Sequence, residues 1–174
     1  MLHRHEDGFI ALASADEDTF RPRTAIRANQ FANMFPEFRE QLAKDAYVGI
    51  HAAFRTRSGS EVDSGYPAHR EETLRYLTAA YCDIDYYRRG FNWPKIAYAI
   101  ALMEHEGAFP KYSLLVNSGR SAWLFWFLHA EGDPSRPQQA FWDQIVRLKS
   151  INAALAARFD WAGADRRHSC NRNR

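Results

Sequence analysis

Two aspartates, Asp83 and Asp85, stand two positions apart in the apolar segment 77–87, LTAAYCDIDYY. The segment has the composition of a buried β-strand, in which residues two apart project to one face with Cα atoms about 7 Å apart. Aspartate is disfavoured in strands, and two anions this close repel each other and lose solvation. A bound cation offsets both costs, and Mg²⁺ or Mn²⁺ shared with substrate phosphates suits such oxygen ligands. The pair therefore indicates a metal that clamps the attacking and leaving oxygens of a phosphoryl transfer.

The neighbours of the two aspartates favour a site at the rim of a sheet. Ile84 separates them, and the segment stays apolar up to the carboxylates. Arg88, Arg89 and Gly90 follow at once and predict a basic turn at the C-terminal end of the strand, where anionic substrates are favoured. The alternative is that the two aspartates are only turn or cap residues at a strand end.

A second segment, residues 116–128 (VNSGRSAWLFWFL), predicts the turn and second strand of a β-hairpin. A turn that contains Gly119 exposes backbone N–H groups, and Ser118 and Arg120 add a hydroxyl and a guanidinium. Together these donors are candidates for gripping a phosphate. The alternative is an ordinary hairpin turn with a solvated arginine.

The rest of the chain predicts an α+β fold with a mostly antiparallel sheet flanked by helices. Predicted strands cover residues 8–13, 47–54, 77–87, 112–117 and 122–128. Predicted helices cover residues 24–45 with a division at Pro36, 69–76, 92–107 and 138–159. Residues 56–67 predict a loop. No linker or internal repeat is visible, so we expect a single domain over residues 1–165 and a basic irregular tail at 166–174.

Composition excludes a disordered chain and a disulfide-stabilised one. The 174 residues are 46% hydrophobic and 14% aromatic, enough for a folded core. Only two cysteines are present, and no signal peptide or membrane-length apolar run is visible, so we expect a cytoplasmic protein that does not bind membranes. Of 23 basic residues only four are lysines. Arginine makes bidentate phosphate contacts, although a GC-rich genome would produce the same bias.

Taken together, the two segments resemble the archaeo-eukaryotic primase superfamily. They look most like the primase–polymerase domains of plasmids and integrated mobile elements. The resemblance rests on CDIDYY at 82–87 and VNSGRSAWLFWFL at 116–128, and DAYVGIHAAFR at 45–55 looks like the strand that leads those domains. It covers roughly residues 40–165 and implies an RRM-like primase catalytic core.

The resemblance implies roles for the residues that match its first two motifs. Asp83 and Asp85 match the acidic motif that binds the catalytic Mg²⁺ or Mn²⁺ ions. Ser118 matches a serine that contacts the phosphates of the incoming nucleotide. That second motif often ends in a histidine, whose place here is close to Trp123, and Arg120 is the candidate to replace its contact with the triphosphate.

A third family motif, a hydrophobic residue followed by an acid, completes the metal site. Asp160 and Asp165 are the two candidates, and Asp165 is the expected third ligand. Relatives continue past this point into a Leu-Pro-Gly-x-x-Asn stretch and a helicase region, whereas this chain runs GADRRHSCNRNR. We therefore expect a C-terminally truncated domain whose helicase region or partner lies elsewhere.

The implied activity is that of a DNA primase or polymerase in plasmid or mobile-element replication. A 3′-hydroxyl attacks the α-phosphate of a nucleoside triphosphate on a single-stranded DNA template, and pyrophosphate leaves. Ser118, the Gly119 amide and Arg120 would orient the triphosphate. Four arginines are candidates for template phosphates: Arg55, Arg57, Arg88 and Arg89.

Two other functions compete with this one. The first is a catalytically degenerate RRM-like domain that binds nucleic acid without catalysis, which the tryptophan at position 123 favours. The second is a nucleotide-sugar transferase, which also uses Asp-x-Asp. That enzyme would require a parallel-sheet nucleotide domain before the motif, and no βαβ pattern with a glycine-rich turn precedes it.

Overall fold

A computed structural model describes residues 8–16, 19–30, 33, 36, 46–53 and 71–164, and these form an α+β fold with antiparallel sheets. The chain divides into two compact units, Met1–Thr78 with Leu128–Ala140 and Ala79–Phe127 with Phe141–Arg174. The predicted loop at 56–67 and the tail at 166–174 lie outside the described residues. Within the described ranges, no helix has the length and apolar character needed to cross a membrane.

The first unit is built on a six-stranded sheet in which every described pairing is antiparallel. Its strands are β1 (Phe9–Asp16), β2 (Thr19–Arg27), β3 (Ala46–Val48), β4 (Ala52–Ala53), β5 (Leu74–Leu77) and β9 (Gln138–Gln139). They lie in the order β2-β1-β4-β5-β9, with β3 also paired to β1. The parallel sheet that a nucleotide-sugar transferase requires before the Asp-x-Asp motif is not found among these strands.

The predicted helix over residues 24–45 is wrong at its start. Residues up to Arg27 belong to β2, which pairs with β1 along its whole length, from Asp16 opposite Thr19 to Phe9 opposite Arg27. Ladder hydrogen bonds to a neighbouring strand thus override a helical spacing of apolar residues. A 3₁₀ turn, Ala28–Gln30, follows, and most of residues 31–45 lie outside the described part.

Other predictions in this unit also need correction, among them the start of the helix expected at 138–159, where Gln138–Gln139 form β9. The strand expected at 47–54 is divided into β3 and β4, because the Gly49 N–H donates to the Ala11 carbonyl at 2.8 Å and the chain bends before β4. The helix expected at 69–76 is a 3₁₀ turn, Glu71–Thr73, followed by β5. Strand β5 forms because it pairs with β4 on one side and β9 on the other.

The second unit contains both motif segments on a three-stranded antiparallel sheet. Its strands β6 (Ala79–Ile84), β7 (Leu114–Asn117) and β8 (Ala122–Phe127) lie in the order β6-β8-β7. The predicted hairpin is confirmed, with Asn117 opposite Ala122 and Leu114 opposite Phe125. The pairing of β6 with β8 places Asp83 directly opposite Trp123.

Two helices and the buried face of the sheet make the core of this unit. Helix α1 (Trp93–His105) begins where predicted, because the Asn92 side chain accepts a hydrogen bond from the Lys95 N–H at 3.1 Å. Helix α2 spans Trp142–Arg158. Phe109, just after α1, packs with its ring centroid 5.9 Å from Trp126 of β8 and 5.1 Å from Phe159, just after α2.

Helix α2 also supports the outer edge of β6. Asn152 is only 3% exposed, and its side-chain oxygen accepts a hydrogen bond from the Tyr81 N–H at 3.0 Å. A strand edge buried against a helix needs such a partner, since an unsatisfied backbone N–H is costly. The polar residue on the buried side of α2 therefore holds the strand that carries Asp83.

We expect Asn152→Ala to lower the free energy of unfolding by about 1–3 kcal/mol, because the Tyr81 N–H would lose its acceptor in a buried place. Urea denaturation followed by tryptophan fluorescence measures this loss. Ser150→Ala, on the exposed side of the same helix, is the matched control and should stay within about 0.5 kcal/mol. Equal losses in the two variants would contradict the assigned role of Asn152.

Candidate functional site

Asp83 is a buried carboxylate near the end of β6. It is 7% exposed, and its strand neighbour Cys82 is fully buried on the opposite face. Burial, and secondarily the negative charge of Asp83, raise the pKa of the Cys82 thiol to about 12. The thiol therefore stays neutral at physiological pH.

Asp85 lies just beyond the strand, contrary to the prediction of a single strand through residue 87. Strand β6 ends at Ile84, and Asp85 has φ −74° and ψ 60° as the residue that precedes the 3₁₀ turn Tyr86–Arg89. The Asp85 carbonyl accepts a hydrogen bond from the Arg88 N–H at 3.0 Å, which closes this turn. The acidic pair thus spans the C-terminal end of the strand, beside the basic turn that the sequence predicts.

The Asp85 carboxylate has two partners, one partly buried and the other mostly exposed to solvent. Its Oδ1 accepts a hydrogen bond from the Ser121 hydroxyl at 2.8 Å. Its Oδ2 lies 3.4 Å from Nε of Arg88, whose side chain is 58% exposed against 13% for Asp85. Solvent screens such an ion pair, so it contributes little to stability. The bond to Ser121 is the partly buried one, and it joins the acidic segment to the glycine turn.

The groups predicted to grip phosphate are engaged within the turn itself. The Ser118 hydroxyl donates to the Ser121 carbonyl at 3.1 Å and accepts from the Ser121 N–H at 3.0 Å. The Gly119 N–H donates to the Asn117 side-chain oxygen at 2.9 Å. Arg120 is exposed. All three positions are exposed, but the Ser118 hydroxyl and the Gly119 N–H already have hydrogen-bond partners within the turn.

Three hydrogen bonds join the turn after β6 to the turn between β7 and β8. Besides the bond between Ser121 and Asp85, the Tyr86 hydroxyl donates to Asn117 at 3.1 Å, and the Tyr87 N–H donates to the Arg120 carbonyl at 3.4 Å. The sequence prediction missed the polar residues in these bonds. One signal was available: an asparagine directly before a Ser-Gly turn is a common organiser of such turns.

A third segment, Gly163 and Ala164, directly precedes the predicted third-motif acid Asp165 and contacts the C-terminal end of β6. The Asp85 N–H donates to the Gly163 carbonyl at 3.3 Å, and Ala164 forms an antiparallel bridge with Ile84. Gly163 has φ +93°, and a Cβ there would stand 2.8 Å from the Asp85 carbonyl oxygen. Glycine is required at this position for both its conformation and its close approach.

The remaining predicted site residues are either exposed or outside the described part of the chain. Asp160 is exposed in the 3₁₀ turn Asp160–Ala162, and Arg89 is exposed in the turn after β6. Asp165, Arg55 and Arg57 lie outside the described residues.

The donor set fits a hard divalent cation that is completed by a substrate. Across residues 71–164 and the shorter described ranges, no three His, Cys, Asp or Glu side chains are grouped so as to hold a metal. Asp83 and Asp85 supply two carboxylates at one strand end. Magnesium commonly takes one or two protein carboxylates and fills the remaining positions with water and phosphate oxygens.

No family model matches the chain, and neither a curated protein nor a solved structure matches it.

We expect Gly163→Ala to destabilise the protein by at least about 1 kcal/mol more than Gly107→Ala. Both positions have positive φ, +93° and +72°, so both variants suffer the same kind of backbone strain. At Gly163 the added methyl group meets the Asp85 carbonyl oxygen, whereas a methyl group added at Gly107 meets no described atom within 4 Å. Urea denaturation of both variants gives the comparison, and equal losses would rule out the close approach.

Proposed function

We propose that the chain is a metal-dependent nucleotidyltransferase of the primase–polymerase type, with an RRM-like core, that acts in plasmid or mobile-element replication. The observation that carries this proposal is the 2.8 Å hydrogen bond from Ser121 to Asp85. It brings the acidic end of β6 against the glycine turn, and these are the two segments on which the resemblance rests. A site for nucleotidyl transfer requires both at one place.

Asp83 and Asp85 are the proposed ligands of Mg²⁺ or Mn²⁺. The bound cation would supply electrostatic stabilisation of the phosphate oxygens on which negative charge develops. Asp165 is the proposed third ligand. In the sequence it follows Ala164, which is bridged to Ile84 between the two aspartates.

The chemistry is an in-line displacement at phosphorus. The 3′-oxygen of the growing strand forms a bond to the α-phosphorus of a nucleoside triphosphate. The bond from that phosphorus to the leaving pyrophosphate breaks, and the hydroxyl proton is released to water. Arg120 and Arg88, both exposed beside the acidic pair, would bind phosphates. The exposed Arg89, with Arg55 and Arg57, would contact the phosphates of single-stranded DNA.

One observation favours a second candidate, an RRM-like domain that binds nucleic acid without catalysis. The Ser118 hydroxyl and the Gly119 N–H, two donors expected to hold the triphosphate, are hydrogen-bonded inside the turn. A domain that binds single-stranded DNA through arginines alone does not need them. Its affinity would fall with salt, as in the transferase, but it would not require a metal.

We expect Asp83→Asn and Asp85→Asn each to reduce primer extension with Mn²⁺ by at least about a hundredfold. Each variant removes one carboxylate ligand and retains the shape of the side chain. Asp143→Asn, an exposed acid in the first turn of α2, is the matched control and should retain activity. Circular dichroism should show the same fold in all three variants. Asp83→Asn and Asp85→Asn remove the repulsion between the two carboxylates, and Asp143 is exposed.

A wild-type chain that binds single-stranded DNA but extends no primer with Mg²⁺ or Mn²⁺ would contradict the transferase and support the binding domain. Extension that survives Asp83→Asn or Asp85→Asn would place the active site elsewhere.

A further inference from the structure

Three aromatic rings are stacked on the face of the second unit's sheet that carries Asp83. The Trp123 ring lies 6.0 Å from Tyr81 at an interplanar angle of 24° and 6.0 Å from Phe125 at 15°. Strand alternation puts all three on the face of Asp83 and opposite to Cys82 and Leu124, which are fully buried. The rings therefore form an aromatic layer on the Asp83 face of the sheet, in which Phe125 is buried and Tyr81 and Trp123 are half-buried.

The indole of Trp123 is covered by its aromatic neighbours from one side. Phe125 is two residues further from the 118–121 turn along β8, and Tyr81 lies opposite Phe125 in the strand register. Both rings thus lie on the side of Trp123 that is remote from the turn. In the opposite direction along β8, Trp123 is followed by the 118–121 turn, and because Trp123 is half-buried, part of it is exposed to solvent.

The partly exposed Trp123 lies next to one of the candidate metal ligands. Directly opposed residues of an antiparallel pair have Cβ atoms about 5 Å apart, and Asp83 is the residue opposed to Trp123. Past the indole along β8, Ser121 holds Asp85, and Arg120 is exposed. A flat apolar surface, paired carboxylates and an exposed guanidinium thus follow one another over a few residues.

We propose that Trp123 is the stacking surface for the base of a nucleotide whose phosphates contact Arg120 and a divalent cation held by Asp83 and Asp85. This assignment rests on the proposed function for the phosphate end and adds the part that recognises the base. A nucleotide has the two ends that the surface offers, a planar ring and a polyanion. Stacking on an aromatic side chain accepts any base and favours purines, which have the larger ring area.

The test compares nucleotide binding in Trp123→Leu, Trp123→Phe and Trp142→Leu, with Ca²⁺ present so that no turnover consumes the ligand. Trp142 is 66% exposed at the start of α2 and serves as the matched tryptophan control. Isothermal titration with dATP, dCTP and inorganic triphosphate separates the base from the phosphates. We expect Trp123→Leu to weaken dATP binding about tenfold or more and to leave inorganic triphosphate unaffected. Trp123→Phe should retain most of the dATP affinity. In Trp123→Leu, the affinity for dCTP should fall less than the affinity for dATP. Trp142→Leu should bind all three ligands as the wild type does.

Tryptophan fluorescence adds a second readout that does not depend on activity. dATP should quench the emission of the wild type and of Trp142→Leu, and the quenching should be absent in Trp123→Leu. Equal loss of dATP and inorganic triphosphate binding in Trp123→Leu, or no loss of either, would overturn the inference. So would a wild type that binds dATP no better than inorganic triphosphate.

These outcomes are separable from failure of the proposed function. Base-dependent binding through Trp123 in a chain that extends no primer would leave the stacking site standing and remove the transferase. Primer extension by the wild type, together with unchanged dATP affinity in Trp123→Leu, would leave the transferase standing and remove the stacking site.

Discussion

The hydrogen bond between the Ser121 hydroxyl and the Asp85 carboxylate fixes how the two chemistry-bearing segments meet. Strand β6 ends one residue before Asp85, so the strand itself no longer directs this carboxylate. Its orientation depends instead on a 2.8 Å bond to a buried serine, on the closed turn that follows, and on the carbonyl of Gly163. A hydrogen bond to an ionised acceptor is stronger than a neutral one. The Asp85 carboxylate is thereby held at the rim of the sheet instead of turning to water, and the turn at 118–121 is held beside it.

Charge is the second constraint on this place. Asp83 is buried beside a thiol that stays neutral, and Asp85 is only 13% exposed, so two carboxylates share a region of reduced solvation. The guanidinium of Arg88 lies at one of them but remains mostly in solvent, where it is weakly coupled. A divalent cation with a phosphate substrate would compensate both carboxylates at once. A nucleotide would also suit the aromatic layer next to the acids, because it brings a polyanion and a flat ring together.

The sequence was sufficient for features that depend on local chemistry. The β7–β8 hairpin follows from a glycine turn between two apolar runs, and α1 follows from the helical pattern over residues 92–107. The sequence was insufficient where pairing with a distant strand determines the secondary structure. Residues 24–27 follow a helical spacing but pair with β1. In the site, the residue types Asp and Ser-Gly-Arg were readable, whereas the partner of Asp85 was not. Ser121 bonds to a residue 36 positions earlier, and only the tertiary arrangement brings them together.

The account depends on a divalent cation bound between the carboxylates of Asp83 and Asp85. A crystal of the whole chain soaked in Mn²⁺ with a non-hydrolysable nucleoside triphosphate, measured at the manganese absorption edge, tests this claim most directly. The account predicts an anomalous peak within about 2.2 Å of an oxygen of each aspartate, with the base stacked against Trp123. Nucleotide density with no anomalous peak at these carboxylates, or a peak held by other residues, would contradict it.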